Sequence, residues 1–394
     1  MSDQTQGVRA ERLARAALSR VGEPDDAALR LLVAEEGVVG AWASLRRGDG
    51  RYPGGRLSGL LPRAREADPE SDLARFDRLG GRLVCPADPE WPVGLADLDH
   101  LDQPAPFALW ARGGGDLSAL AARGVAVVGA RAATAYGTRV AGDLAVGLAD
   151  AGVCVVSGGA YGIDGAAHRG ALLMAKPTVV VLACGADVAY PRGHAGLLDQ
   201  ARNHGVVVSE APPGAPAMRH RFLVRNRLIA AMAMGTVVVE AALRSGALNT
   251  AGHADRLSKP VMAVPGPVTS ALSRGCHVLL RERNAVLVTS VEHILETVRP
   301  LGSVVPAPSR AVPRLGDGLP PELRRLLDAV PVETPLATVR IAVAAGIEPR
   351  RATGGLAQLV GLGLVVRDDA GWRLSSAYRL CSASGQGATR PRPS

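Results

Sequence analysis

The spacing of apolar residues changes along the chain and divides it into segments. Between residues 8 and 79 apolar positions recur at the spacing of an α-helix, with Leu13, Ala16 and Val21 on one face. Glycine and proline interrupt the pattern between helical stretches. This pattern predicts a helical (SAM-like) N-terminal domain at residues 1–79. One interpretation of it is an accessory that packs or dimerises and has no chemistry of its own.

Beyond residue 105 short β-branched runs alternate with helical segments such as Thr138–Ala151. Apolar strands separated by helices are typical of a parallel sheet that is covered on both faces. We therefore expect a doubly wound, mostly parallel Rossmann-like α/β domain at residues 80–299, with its ligand site beyond the carboxyl ends of the strands. The predicted strands are Val125–Val128, Val153–Val156, Thr178–Leu182, Val206–Val208, Thr236–Val239, Val261–Val264 and Val286–Val288.

The C-terminal part of the chain has a different character. Residues 300–318 are rich in proline and poor in apolar residues, which favours a linker. Three helical segments and a pair of short strands follow at residues 319–380, an order that predicts a winged helix. The last residues, 381–394, are rich in Ser, Gly, Pro and Arg and predict a disordered tail.

Composition and charge narrow the classes of function. Lys and Arg number 45 against 37 Asp and Glu, so the net charge is +8, and a basic balance favours a polyanionic partner where the charge is clustered. The longest uncharged apolar runs are too short to span a bilayer, so we expect a soluble cytoplasmic protein without a membrane partner. The cysteines are far apart and never form a CxxC pair, which gives no support to zinc or disulfides: Cys85, Cys154, Cys184, Cys276 and Cys381.

Two glycine-containing turns follow the first predicted strands. Gly129-Ala130-Arg131 leads towards a helix, whose amino end offers N–H groups to an anion beside the arginine. In Ser157–Asp164 three glycines, Gly158, Gly159 and Gly162, permit close approach of a phosphate. This is neither a dinucleotide fingerprint nor a Walker motif. Asp164 is either a base or a helix cap, and we interpret the later His168 as structural.

The segment Arg219–Arg227 is the most specific signal in the sequence. Four arginines surround Phe222 in a chain with only 3% aromatic residues: Arg219, Arg221, Arg225 and Arg227. Guanidinium groups for phosphates and an aromatic face for a base are the components of single-strand binding. The alternative is a solvated basic helix start with Phe222 in the core.

Two more loops carry hydrogen-bond donors after predicted strands. Glu240–Thr250 contains Ser245 and Gly246 at the start of another helix, and Pro265-Gly266 precedes Ser273 and Gly275. Each of these is compatible with ordinary loop chemistry. Together the five segments line one edge of one sheet, which predicts a long track for a polymer of phosphates rather than a pocket for one nucleotide.

In order and spacing these five segments resemble the DprA/Smf family across residues 82–298. The resemblance implies a mediator rather than an enzyme: a protein, usually a dimer, that binds single-stranded DNA, protects it and loads the recombinase RecA during natural transformation or homologous recombination. It implies no catalytic residue, no cofactor and no metal. The implied DNA contacts are Arg131, Gly158, Gly159, Tyr161, Arg219, Arg221, Phe222, Arg225, Asn226, Arg227, Ser245 and Gly246.

Two departures and one alternative accompany this resemblance. Tyr161 stands where many relatives have Arg, which removes a charge and adds a stacking surface. The predicted wing contains Asp368 and Asp369, which argues against reading of duplex DNA by the winged helix. The alternative function is a LOG-like nucleoside monophosphate phosphoribohydrolase. Its loop would require a Pro-Gly-Gly segment and a glutamate one residue nearer to Thr236 than Glu240 is.

Overall fold

A computed structural model describes residues 2–48, 59–101, 104–299, 318–376 and 378, with the side chains of residues 2–5 excepted. The chain divides into two compact units, the first ending at Pro306 and the second beginning at Ala307. The predicted linker, apart from Gly318, and the predicted tail lie outside the described residues. None of the described helices is long and apolar enough to cross a membrane.

The first unit begins with four helices, two of which have a side-chain cap at their start. Asp26 accepts a hydrogen bond from the Leu29 N–H, and Asp68 accepts one from the Ser71 N–H, so that each side chain satisfies a donor at a helix start. Positive φ at Gly37 kinks the second helix. The helices are α1 (Ser2–Val21), α2 (Ala27–Arg47), α3 (Leu61–Glu66) and α4 (Pro69–Arg78).

Within the described residues nine strands form one sheet, in the order β1-β2-β6-β5-β4-β3-β7-β8-β9. Strands β3 to β9 run parallel, whereas β1 and β2 are antiparallel additions at one edge. The strands are β1 (Gly81–Val84), β2 (Leu109–Arg112), β3 (Gly124–Val128), β4 (Cys154–Ser157), β5 (Thr178–Leu182), β6 (Val206–Ser209), β7 (Thr236–Val238), β8 (Val261–Ala263) and β9 (Val286–Leu287).

Both faces of the sheet are covered because its strands alternate apolar side chains between them. The helices are α5 (Leu117–Ala122), α6 (Ala135–Asp150), α7 (Ile163–Leu173), α8 (Ala195–His204), α9 (Arg219–Ala231), α10 (Gly246–Arg256), α11 (Arg274–Glu282) and α12 (Val291–Val298). In β3, Val125 and Val127 pack against α6, α7 and α12 on one face of the sheet, while Ala126 and Val128 pack against α5, α9, α10 and α11 on the other.

The predicted doubly wound α/β fold is confirmed, and the seven predicted strands match β3 to β9 within two residues at each end. The sequence analysis missed β1 and β2, which are four residues long and end in or contain an arginine. The helical N-terminal segment packs against this missed edge. Trp110 of β2 donates from Nε1 to Ser19 Oγ of α1 at 3.1 Å and meets Phe76 of α4 edge to face.

The second unit contains α13 (Pro321–Ala329), α14 (Thr338–Ala345) and α15 (Pro349–Gly361), followed by the antiparallel strands β10 (Val365–Asp368) and β11 (Gly371–Leu374). Its core is formed by side chains from every element, among them Leu326, Ile341, Leu356, Val365 and Trp372. The element order is the one that the sequence predicts for this segment. Its assignment as a winged helix, like the domain boundaries, stays a prediction.

A pair of leucine substitutions tests where the core lies. Leu148 on α6 is fully buried, whereas Leu173 at the end of α7 is 79% exposed. We expect Leu148→Ala to lower the free energy of unfolding by about 2–5 kcal/mol, because it leaves a cavity under the sheet. Leu173→Ala should change it by less than about 0.5 kcal/mol. Urea denaturation followed by circular dichroism measures both, and equal losses would contradict the described packing.

Candidate nucleic-acid interface

A cleft of about 310 Å³ opens at the carboxyl edge of the sheet, where the strand order reverses. From β3 the chain moves outward through β4, β5 and β6, and it then crosses back through α9 to β7 on the other side of β3. The loops after β3 and β7 consequently diverge, and α9 lies over the gap. The polar side chains that line the cleft come from these elements: Arg131, Asp164, Arg225, Asn226, Arg244, Ser245 and Thr250.

The loop after β3 is held in place by Glu240, which lies two residues after the end of β7. The Ala130 N–H donates to the Glu240 carbonyl at 2.7 Å, and the buried Glu240 carboxylate accepts from Thr134 N–H at 2.9 Å and Thr134 Oγ1 at 2.6 Å. Thr134 in turn caps α6 through the Gly137 N–H. A Cβ on Gly137 would meet the carboxylate at 2.2 Å, which explains the glycine. Glu240 therefore anchors the loop that presents Arg131.

Arg131 and Phe222 form a stacked pair at the rim. The exposed Arg131 guanidinium lies 4.7 Å from the centre of the half-buried Phe222 ring, a cation–π contact. Tyr190 approaches the same ring at 5.4 Å between ring centres. The other two phenylalanines of the chain, Phe76 and Phe107, are buried. The rim thus combines a surface-exposed positive charge with aromatic surface.

The glycine loop after β4 was predicted to offer its N–H groups to phosphate, and in the described state the Gly158 N–H is engaged within the protein. Gly158 and Gly159 are both buried, and φ is +67° at Gly159. The Gly158 N–H donates to Asp164 Oδ2 at 3.1 Å, and the Gly158 carbonyl accepts from Arg225 Nη1 at 2.9 Å. Asp164 was predicted as either a base or a helix cap; it lies inside α7, whose N-cap residue is Gly162, and its carboxylate binds the preceding loop instead.

Arg225 lies in the floor of the cleft rather than on its rim. Its Nη1 also donates to the Val181 carbonyl, so one guanidinium joins the ends of β4 and β5 to α9. Burial lowers the pKa of Arg225 to about 10, although the charge of Asp164 opposes this, and burial raises the pKa of Asp164. Arg225 was predicted as a main DNA contact; in the described state backbone carbonyls hold its guanidinium in the floor of the cleft, where it adds positive potential.

Two further arginines of the predicted set are engaged by carboxylates. Arg227 is buried and donates from Nη2 to Glu210 at 2.8 Å, which makes it an interior ion pair and not a surface for DNA. Arg221 donates from Nε and Nη2 to the two oxygens of Glu23, at 2.8 and 2.7 Å. Both were predicted as DNA contacts, and neither residue is among those that line the cleft in the described part of the chain.

The remaining predicted residues divide between the surface and the framework. Arg219 and Gly246 are exposed, and Tyr161 is exposed with its ring 4.8 Å from that of His194. Ser245 caps α10 by accepting from the Ala247 N–H. Asn226 is buried and donates to the Gly246 carbonyl at 3.2 Å, so it holds the start of α10 against α9.

The sequence analysis did not single out two residues of this region. Arg244 is exposed and lines the cleft directly before the Ser245 cap. Tyr190 follows β5, beyond the carboxyl end of a correctly predicted strand, and that position is the signal by which it could have been found. With Arg131, Arg225 and the amino end of α10, Arg244 gives the cleft a positive potential opposed by the buried Asp164.

Fold and cleft together define a Rossmann-like α/β protein with an arginine-lined cleft at its switch point, the place where the strand order reverses. A profile of the family described as DNA recombination-mediator protein A matches residues 82–299, more than half of the 394 residues. The chain belongs to this family, and the resemblance drawn from the motifs is confirmed.

Similarity to individual proteins extends further. The chain is 46% identical over 384 residues to a putative DNA processing protein DprA of Mycobacterium tuberculosis, covering 95% of each protein. It is 41% identical over 191 residues to DNA processing protein DprA of Streptococcus pneumoniae, covering 48% of this chain and 66% of that protein. The X-ray structure of the pneumococcal DprA matches with a TM-score of 0.60 at 28% identity, covering 74% of this chain and 98% of that one.

The buried ion pair between Arg227 and Glu210 provides a stability test. Arg227→Ala leaves the buried Glu210 carboxylate without its hydrogen-bonded partner, and we expect a loss of about 3–5 kcal/mol in the free energy of unfolding. The matched control is Arg219→Ala on the same helix, whose exposed side chain should contribute less than about 0.5 kcal/mol. Thermal and urea denaturation measure the difference. Equal effects of the two substitutions would mean that Arg227 is not an interior residue.

Proposed function

We propose that this protein binds single-stranded DNA along the rim of the switch-point cleft. The observation that carries the proposal is the Arg131–Phe222 pair, because it places a guanidinium for a phosphate against an aromatic face for a base. Arg244 and the amino end of α10 supply further positive potential a short distance away. Base stacking on Phe222 requires an unpaired base, since the bases of a duplex are stacked on each other and paired.

Family membership supports a role in recombination. The family description names a recombination mediator, and the two relatives described above are named as DNA processing proteins, one of them as putative. We propose that the bound strand is protected from nucleases and is handed to the recombinase RecA, that the protein acts as a homodimer, and that it works in the cytoplasm during natural transformation or homologous recombination.

We also propose that the protein is not an enzyme. Three groups that are candidates for chemistry, Asp164, Glu240 and His168, are engaged in contacts within the protein. Asp164 and Glu240 accept backbone N–H groups, and His168 Nδ1 lies 2.8 Å from Thr178 Oγ1 in the interior. Burial lowers the pKa of His168 to about 3, so it is neutral at physiological pH. This arrangement supports a binding site without a catalytic step, and it disfavours the LOG-like alternative.

Salt-dependent binding to a labelled oligothymidylate tests the DNA proposal. Each neutralised phosphate of a single strand contributes a slope of about −0.7 to the dependence of log K on log salt. Arg131→Ala should reduce the magnitude of this slope by about 0.7, the contribution of one phosphate contact. Phe222→Ala should weaken binding by about 1–3 kcal/mol with little change in slope, because stacking does not release counterions. Fluorescence anisotropy measures both quantities.

The chain offers a matched control for each substitution. Arg123 is exposed at the amino end of β3, the opposite end of the strand from Arg131, and Arg123→Ala should leave the slope unchanged. Phe222→Leu keeps apolar volume but removes the aromatic face, so it should resemble Phe222→Ala. Unchanged binding in both Arg131→Ala and Phe222→Ala would overturn the proposed site.

RecA loading needs its own measurement. On single strands coated with single-strand-binding protein, the wild-type protein should shorten the lag before RecA hydrolyses ATP. Phe222→Ala should restore most of the lag at protein concentrations that no longer saturate the DNA. A lag that the wild-type protein leaves unchanged would contradict the mediator role, while leaving DNA binding to be judged by anisotropy.

A further inference from the structure

The first turn of α9 begins without the features that normally stabilise a helix start. Met218 precedes it and makes no side-chain capping hydrogen bond, and the first turn contains no acidic residue. It contains instead Arg219, His220 and Arg221. Positive side chains at the amino end oppose the helix dipole, and the unpaired N–H groups there favour an anion. On its own sequence this turn is unstable as a helix.

The missing anion is supplied from the N-terminal helical segment. Glu23 lies between α1 and α2 and forms the two-point ion pair with Arg221, and its Oε2 lies 3.0 Å from His220 Nε2. Arg63 is the other nearby cation, at 3.8 Å. Burial acts to raise the pKa of Glu23, but the hydrogen bonds and charges of Arg221 and His220 outweigh it and lower the pKa to about 2. Glu23 is therefore ionised and partly buried against α9.

The turn that Glu23 holds is the one that carries Phe222 and Leu223 into the cleft. From Arg225 to Ala231 every residue of α9 is buried, so the remainder of the helix is fixed by the core. The first turn has no such support, because Arg219, His220 and Leu223 are exposed. Loss of the ion pair would thus release Phe222 from its place beside Arg131 and Tyr190 without unfolding the helix.

We propose that Glu23 is a positioning residue for the single-strand site: it neutralises the start of α9 and thereby orders the Phe222 ring for a base. The inference rests on the proposed function and extends it, because it makes the N-terminal helical segment part of the DNA site. The opposite relation, in which Glu23 competes with a DNA phosphate for Arg221, is one outcome of the test below. The two relations predict opposite changes in the affinity for DNA when the charge of Glu23 is removed.

Glu23→Gln distinguishes them, because it removes the charge and keeps the shape. We expect oligothymidylate binding to weaken roughly tenfold, equivalent to about 1.4 kcal/mol and within the range that stacking of one base contributes, with the salt slope unchanged. Glu23→Asp should recover part of the affinity. Glu11→Gln, which removes an ion pair with Arg15 in the same helical segment, is the matched control and should leave binding unchanged.

A double-substitution cycle separates positioning from general destabilisation. If Glu23 acts through Phe222, Glu23→Gln should cause little further loss in a Phe222→Ala background. A tenfold loss in both backgrounds would overturn the proposal. Tighter binding would also overturn it if the salt slope became steeper by about 0.7, the contribution of one phosphate contact. Competition for Arg221 predicts that result.

Hydrogen exchange in the DNA-free protein provides a readout that does not depend on DNA binding. Glu23→Gln should speed exchange of the amides at residues 221–223, the first hydrogen-bonded amides of α9, and leave those at 226–231 unchanged. Unchanged exchange at 221–223 would overturn the proposal. If the wild-type protein bound no single strand, the proposed function would fail and the DNA role of Glu23 with it, whereas faster exchange would still identify Glu23 as the residue that orders this turn.

Discussion

The reversal of strand order beside β3 is the constraint on which the site depends. A parallel sheet that grows outward from β3 in one direction and then in the other needs one long crossover, and α9 is that crossover. The loops that follow β3 and β7 therefore diverge at the carboxyl edge, and α9 closes the gap between them. Glu240 fixes the separation, because its backbone and carboxylate both bind the loop that carries Arg131.

The arginines of α9 illustrate how one basic segment serves two purposes. Arg225 and Arg227 are within the core, where each is compensated by hydrogen-bond acceptors because a buried unpaired guanidinium would be costly. Arg225 gives the cleft a rigid floor, and Arg227 holds the helix to the core. The charges available to a ligand come from other loops, chiefly Arg131 and Arg244, and the aromatic surface comes from α9. The site is therefore assembled across the sheet rather than within one motif.

Glu23 adds a second level of organisation. The N-terminal helices pack on the β2 edge through Trp110, and the loop between α1 and α2 reaches the unsupported start of α9. An ion pair of this kind joins two parts of the same compact unit across almost 200 residues of sequence. Partial burial makes it stronger than a surface pair, because solvent screens it less. The contacts of the helical segment thus extend to the element that carries Phe222.

The sequence by itself determined the parallel strands, the helices between them and the carboxyl edge as the place of the candidate site, because strand and helix periodicity are local properties of the chain. It also placed Arg131 and Phe222 among the candidate residues, whose positions follow from the ends of β3 and α9. It missed β1 and β2, since short antiparallel edge strands carry too few residues to establish a period. Only the tertiary structure decided which arginines face the cleft: Arg221, Arg225 and Arg227 look alike in sequence, but their partners are Glu23, the Gly158 loop and Glu210, which are distant along the chain and near only after folding.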